Sequence, residues 1–328
     1  MITRRNFIAA SAAGPALAST ALISDAFAQV GGKTTRLMIG VPPGGALDVV
    51  ARLLVQQMTG YASPLIVDNR PGAAERIALE ALKNSPADGS VFMLTGSSRI
   101  AVFPHVYKRL KYDPPQDFIP VTTVCTFSFM LSVGPLVPQS VKTLDDFIRW
   151  CRANPKQATY GTLGVGTPHH FIGSMLARAA GFELLHVPYQ GAAAAQDLLA
   201  GQIAATIFPV GLTLPHVQSG NLRGLVITAP HRSLQLPAVP TMAEAGYPEL
   251  KIVDWFGIFV PARTPADTVA KLNTAVCEAV KTPELKAGLE KLSFDPAGSS
   301  PAEFARLISA DHDKWGPIVN ASGFRPEE

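Results

Sequence analysis

The stretch PPGGALD, Pro42 to Asp48, ends a short apolar run and opens a helical pattern through two glycines. Free backbone N–H groups at such a turn, reinforced by the helix dipole, bind anions without any particular side chain. Two more turns have this form: Thr162 to Thr167 in YGTLGVGTPHH, and Gln190 to Ala193 in YQGAA. Gly44, Gly45, Gly164, Gly166 and Gly191 let the backbone approach a ligand closely. Thr167 followed by Pro168 has the residue types of an N-cap and a first helical position, and the Thr162 hydroxyl adds a donor. Phosphate is the wrong anion, because neither G-x-G-x-x-G nor G-x-x-x-x-G-K-[ST] occurs at these turns. No nucleotide cofactor is expected.

The charged residues nearby divide into braces and candidate ligand groups. Asp48 falls in a first helical turn with Arg52 at i+4, a pair expected to brace the loop rather than to touch an anion. Arg99 in LTGSSRIAVF follows an apolar run, where it is either merely solvated or a bidentate clamp for a carboxylate. Glu75 and Arg76 in RPGAAERIA read as a solvated helix start, or as a charged gate. His169 and His170 are adjacent, so they point to different helix faces and lack the spacing of a zinc-binding H-E-x-x-H. His170 is assigned to packing at the helix start and His169 to the cleft. There is no G-x-S-x-G elbow, and Cys125, Cys151 and Cys277 sit in no nucleophile context. We therefore assign no catalytic residue, no metal and no cofactor. The cysteines read as buried thiols, with a Cys125–Cys151 bridge left open.

These turns need strands and helices to hold them, and the chain supplies both. TRLMIGV, SPLIVDNR and VFMLTG read as buried strands, with helices at Ala46–Met58 and Ala74–Lys83 between them. This βαβαβ pattern implies a parallel sheet with helices on its faces. The pattern recurs as ATYGT, helix His169–Ala180, LLHVPY, helix Ala192–Ala200, IAATIF and LRGLVIT, with Gly181, Gly201 and Gly220 at C-cap positions. Two long apolar strands, in DFIPVTTVCTFSFMLSVGP and KIVDWFGIFVP, read as crossovers between the two blocks. Helices at Ala266–Val280, Pro283–Lys291 and Pro301–Asn320 close the chain. Two α/β lobes joined by two crossing strands make a hinge, with the ligand site between them.

Composition narrows the function further. The 328 residues are 47% hydrophobic and carry a formal charge of +3. Without Arg4, Arg5 and Asp25 of the N-terminal segment, 26 basic residues face 24 acidic ones. So small an excess, with no Lys/Arg run, is no footprint for a nucleic acid. Residues 1–28 read as an export signal: TRRNFI places a twin arginine before Phe7, an alanine-rich stretch follows, and AFA precedes Gln29. Cleavage is expected after Ala28, by a twin-arginine or a Sec route, giving a soluble periplasmic chain. No later segment has the length and hydropathy of a membrane span.

Eight blocks carry a family resemblance: GVPPGGALDVVARLL, VDNRPGAAERIA, PADGSVFML, YDPPQDFIPV, YGTLGVGTPHHF, HVPYQGAAAAQDLLAGQI, LPAVPTMAEAGYP and DWFGIFVPARTP. In this order, along nearly the whole mature chain, they resemble the tripartite tricarboxylate transporter receptors, or Bug proteins. The resemblance implies an α/β, two-lobed, class II-like periplasmic binding protein whose two crossover strands form the hinge. Lobe 1 would comprise 29–126 and 254–328, and lobe 2 would be 127–253. It implies a small organic carboxylate held between the lobes and passed to a permease of two membrane subunits. A membrane sensor as partner, or an enzyme on the same fold, are the alternatives, and a monomer is expected.

By match, the first-lobe loop (Val41, Pro43, Gly44, Gly45, Ala46 and Leu47) holds one carboxylate through water and backbone. Thr162, Gly164, Gly166 and Thr167 donate directly, and Gln190, Gly191 and Ala192 close the other side. The strand-end residues Ala73, Ser97 and Arg99, together with His169, complete the ligand-facing set. Relatives usually show Pro-Phe/Tyr at Gly40–Val41, Gly-Thr/Ser at Ala46–Leu47, and Gly-Gly-Asn at Ala74–Arg76. The first-lobe wall is therefore expected to be more apolar, and its mouth more crowded or charged.

Overall fold

The computed structural model describes residues 34–189 and 193–325. The segment 1–28, expected to be an export signal, and the turn Gln190–Ala192 lie outside the described residues. The chain begins β1 (Thr35–Ile39), α1 (Ala46–Gln57), β2 (Leu65–Asn69), α2 (Arg76–Lys83) and β3 (Val91–Gly96). A π-helical turn at Ser98–Val102 leads into α3 (Phe103–Val106) and α4 (Pro114–Asp117). The long strand β4 (Phe118–Val133) then crosses to α5 (Leu144–Ala153), β5 (Thr159–Thr162), α6 (Pro168–Ala180) and β6 (Leu185–Pro188). Next come α7 (Ala193–Leu199), β7 (Ala205–Pro209), α8 (Val210–Gln218) and β8 (Arg223–Ile227). The return strand β9 (Val253–Pro261) is followed by α9 (Ala266–Ala279), α10 (Pro283–Glu290), β10 (Asp295–Pro296) and α11 (Pro301–Ala321).

The pairing repeats itself. In the first half β2, β1 and β3 are parallel, β9 lies antiparallel beside β3, and β4 lies antiparallel beside β9. In the second half β6, β5 and β7 are parallel, β4 lies antiparallel beside β7, and β8 lies antiparallel beside β4. Each lobe is thus three parallel strands, an antiparallel strand arriving from elsewhere in the chain, and one more. β4 serves both: its partners change from β9, last paired at Ser128, to β7 and β8, which begin at Phe129 and Met130. In such sheets ligands bind beyond the carboxyl ends of the parallel strands. Those ends are the turns after β1, β2 and β3 in one lobe and after β5, β6 and β7 in the other.

The helices sit where their apolar spacing puts them. On α1, Leu47, Val50, Ala51 and Leu54 are buried at i, i+3, i+4 and i+7. Burying each large side chain stabilises the fold by about 1.5–3 kcal/mol. Leu47 therefore belongs to the core, at 5% exposure, and does not line the cleft as expected. Its place one residue into α1 turns it toward the sheet. Only Val41 and Ala46, both half-buried, remain for the apolar wall. The three cysteines are free thiols. Cys125 lies on β4 paired with Phe256 of β9, and Cys151 is on the buried face of α5 in the other lobe. Burial raises both thiols, Cys151 to about 12. Among the described residues no helix is long and apolar enough to cross a membrane.

Candidate functional site

The turn between β1 and α1 is held from below by one carboxylate. Asp48 is 2% exposed and accepts two bonds from Arg52, from Nε and Nη2, each at 2.9 Å. Its Oδ2 also accepts the Gly44 amide at 3.0 Å. Asn69, the last residue of β2, donates to Asp48 Oδ1 at 2.9 Å and to the Val41 carbonyl at 3.0 Å. The Arg52 hydrogen bonds, with help from Asn69 and the Gly44 amide, hold the Asp48 carboxyl down at about 2 despite its burial. Asp48 is wholly occupied as a brace. Pro42, Pro43, Gly44 and Gly45 stand exposed above it, with Gly44 at φ 93°. Gly45 occupies the N-cap of α1 and supplies no side-chain cap, so the first amides of this twelve-residue helix keep their donors.

The equivalent turn in the second lobe, between β5 and α6, is built differently. Thr162 is fully buried, and its Oγ1 lies 2.6 Å from His186 Nε2 and 3.1 Å from the Gly164 carbonyl. Thr167 Oγ1 donates to the same carbonyl at 2.8 Å. The Gly166 amide donates to His170 Nδ1 at 3.2 Å, and the His170 ring stacks on His186 with centroids 4.1 Å apart. Both threonine hydroxyls, expected to reach a ligand, are therefore directed into the turn, where they satisfy the carbonyl of the half-buried Gly164. Thr167 sits at the N-cap of α6 in extended conformation but makes no side-chain cap. Thr167→Ala is accordingly expected to destabilise by about 1 kcal/mol through the lost Gly164 bond. Thr167→Ser should be nearly neutral in urea unfolding. What this turn offers outward is the backbone around Gly164, at φ 142°, since Gly166, at φ 71°, is buried with its amide on His170.

The two sets of strand ends meet. Gly166 lies against the α3 residue Val106, so close that a Cβ on it would come 2.7 Å from a valine methyl. His169, at the start of α6, packs on the Phe129 ring of β4 with centroids 5.5 Å apart. It is 8% exposed, and both its ring nitrogens are buried without a hydrogen-bond partner. Burial first, and then the Arg99 charge, lower its pKa to about 3, so the ring is neutral.

Arg99 is not a free clamp. Its Nη2 lies 2.7 Å from Glu75 Oε1, and Thr95 Oγ1 donates to Glu75 Oε2 at 3.0 Å. Glu75 is 3% exposed, which overturns its reading as a solvated helix start. Burial raises its pKa, while Arg99 and Thr95 pull the other way. Only Arg76 behaves as a surface group, bonded to the Ala73 carbonyl and lying over the Tyr107 ring. Glu75 reaches inward through three successive left-handed residues, Ala73, Ala74 and Glu75, at φ 46°, 52° and 72°. Such a conformation costs about 1 kcal/mol or more for each residue bearing a Cβ. Gly40 gives it room: a Cβ there would stand 2.4 Å from that of Glu75. Beside this pair Ser97, 2% exposed, hydrogen-bonds Asp254, whose burial lifts its carboxyl to about 6.

Sequence reasoning thus missed three participants, Asn69, His186 and Asp254, and read Gly40 only as a departure from relatives in the first-lobe wall. Asn69 carried a signal, a polar residue at the end of an apolar strand. Nothing marked His186 or Asp254. Among the described residues no group of three or more His, Cys, Asp or Glu side chains could hold a metal.

Comparison with known proteins gives a consistent result. The sequence model described as "Tripartite tricarboxylate transporter family receptor" matches residues 50–324. The protein BugT of Bordetella pertussis is 31% identical over 291 residues, covering 88% of this chain and 89% of that protein. The UPF0065 protein in the tcbD-tcbE intergenic region of Pseudomonas sp. strain P51 is 31% identical over 285 residues, covering 86% and 84%. Among solved structures, Rpa4515 of R. palustris with adipate shares 29% identity at a TM-score of 0.82, covering 90% of this chain and 98% of that one. MatC from Rhodopseudomonas palustris with bound malate shares 25% identity at a TM-score of 0.78, covering 87% and 98%.

Proposed function

Because this chain belongs to the tripartite tricarboxylate transporter receptor family, we propose that it is a periplasmic receptor for a small organic carboxylate. It captures the acid between its lobes and delivers it, unchanged, to a permease of two membrane subunits. The observation that carries the reading is the pair of uncapped helix starts, α1 and α6, at equivalent strand ends of the two lobes. Helices α2, α3, α4, α8 and α9 also start without a side-chain cap, and what sets α1 and α6 apart is their place at equivalent strand ends of the two lobes. At α1 the first amides, and at α6 those after Pro168, which has no N–H, are left for an outside acceptor, and a carboxylate is stabilised there by hydrogen bonds and by the dipole. The adipate and malate bound to the two solved relatives support the same ligand class.

On this reading the first-lobe contacts are Val41, Pro43, Gly44, Gly45, Ala46, Ala73 and Ser97. The second-lobe contacts are Gly164, Gly166 and His169, with the turn Gln190–Ala192. The lobes are 29–126 with 254–328, and 127–253, in keeping with the change of β4 partners at Ser128 and Phe129. The chain is exported, cleaved after Ala28, and acts as a monomer. A thermal-shift screen tests the function: matched mono- and dicarboxylates (hexanoate and adipate, benzoate and terephthalate, butyrate and succinate) together with citrate. At a concentration a hundredfold above Kd, a bound acid stabilises by about 2.7 kcal/mol, which is several degrees in Tm. The bound acid should be recovered unaltered. No shift with any acid, or turnover of one, would overturn the reading.

A further inference from the structure

We propose that Glu75 sets the ligand specificity of the cleft by holding the guanidinium of Arg99, so that the site takes a carboxylate whose far end is uncharged. The proposal rests on the carboxylate reading above and names the kind of acid within it. Three independent features converge on Glu75. Gly40 leaves a seat for it, since a Cβ at that position would lie 2.4 Å from its Cβ and 2.8 Å from its Cα. The left-handed run Ala73–Glu75 turns the side chain inward against its own preference. At the end of that path both carboxylate oxygens are occupied, by Arg99 Nη2 at 2.7 Å and Thr95 Oγ1 at 3.0 Å. A helix start in water would need none of these, and backbone strain of this kind collects at ligand sites.

The pair is asymmetric. The Arg99 side chain is 21% exposed, whereas that of Glu75 is 3% exposed. The arginine therefore keeps open surface just after β3, near enough to His169 for its charge to lower that ring's pKa, and the glutamate is closed off. Alone, such an arginine would clamp a second carboxylate with two parallel hydrogen bonds. With Glu75 in place its charge is already matched. A second carboxylate would then put two anions on one guanidinium in a poorly hydrated floor, where like charges disfavour one another strongly. Arg99 Nε, however, remains a buried donor without a partner, and the neutral His169 ring across the cleft leaves one N–H donor and one acceptor nitrogen unpartnered. A hydroxyl or carbonyl oxygen can take up such groups without bringing in charge. The favoured ligand is thus a monocarboxylate with an apolar end or an uncharged oxygen there.

The test is calorimetric titration of the full mature chain with hexanoate, 6-hydroxyhexanoate and adipate, and with benzoate and terephthalate. The wild type should bind each monoacid at least tenfold more tightly than its diacid, and 6-hydroxyhexanoate no more weakly than hexanoate. Glu75→Gln keeps the volume over Gly40 and removes the charge; it should raise the diacid-to-monoacid affinity ratio at least tenfold. Glu75→Gly, at ease at φ 72°, provides a second variant that relieves the strain and should move the ratio the same way. A merely structural Glu75 would alter Tm and leave the ratio alone. Acid binding with no preference in the wild type, or with a ratio unchanged in both variants, overturns this inference and leaves the carboxylate reading standing. Absence of binding by every acid to all three proteins overturns both.

Discussion

On acidification from pH 6.5 to pH 4 three buried histidines are expected to withdraw about 5 kcal/mol of folding stability, of which the buried Asp254 carboxyl, lifted to about 6, returns about 1.5 kcal/mol. Burial holds His170 down at about 4, and His169 and His186 at about 3, against an ordinary value of 6.5. In the unfolded chain each ring takes a proton as the pH falls through 6.5, while in the folded chain none does until pH 4 or below. At these rings the unfolded state therefore binds more protons throughout this window, and their contribution falls with pH, whereas at Asp254 the folded state binds the extra proton below about pH 6. The slope limit is about 1.4 kcal/mol per pH unit for each ring. Half of that limit for three rings over the window gives the expected loss.

The stacked pair His170–His186 resists charging doubly, because a proton on one repels a proton on the other. His186→Gln, which keeps a polar partner for Thr162, should remove about one third of the histidine contribution to the slope. Urea unfolding at pH 7, 6, 5 and 4 measures it. A free energy constant from pH 7 to pH 5 would show that the rings take up protons within the native turn.

Asp48→Asn should lower affinity for the bound acid at least tenfold and destabilise by about 3 kcal/mol, although position 48 touches no ligand. The carboxylate accepts from four donors: Arg52 Nε, Arg52 Nη2, the Gly44 amide and Asn69 Nδ2. An amide has one acceptor oxygen, so its NH2 group must oppose at least one of these donors. The exposed glycine turn loses its anchor, and the ligand must then order it on binding. Asp48 makes its contribution above its unfolded pKa, near 4, and the contribution is lost as the pH falls toward its folded value of about 2. This window lies below that of the histidines, so the variant should leave the slope between pH 6.5 and pH 4 unchanged. Wild-type affinity in a folded Asp48→Asn protein would show that the turn holds its shape without the brace.

How much of this was legible depended on the reach of each interaction along the chain. The strands, the helix order and the C-cap glycines Gly181, Gly201 and Gly220 follow from local pattern, and all three glycines have positive φ. The Asp48–Arg52 pair was legible because i and i+4 are neighbours on any helix. Helix α5 went unread although Thr143 and Asp146 make a capping box. Helix α8 was hidden by Pro215 and by an apolar run continuous with β7. The Glu75–Arg99 pair joins the ends of two strands, and its geometry depends on a backbone bend that alanines and a glutamate do not announce. The threonines of the second turn have the right types for ligand donors. Whether a hydroxyl points in or out depended on the Gly164 carbonyl, which no pattern displays.

The order of strands has a consequence for how the chain assembles over time. β9 lies between β3 and β4, so the first lobe's sheet remains open until residues 253–261 have been made or delivered. The second lobe needs only β4 to β8, a continuous stretch of chain. It can close while β3 and the first half of β4 still present bare hydrogen-bonding edges. Pairings so distant in sequence are slow to form, and open edges invite pairing with another chain. The period of greatest risk for this protein is the interval between completing its second lobe and inserting its ninth strand.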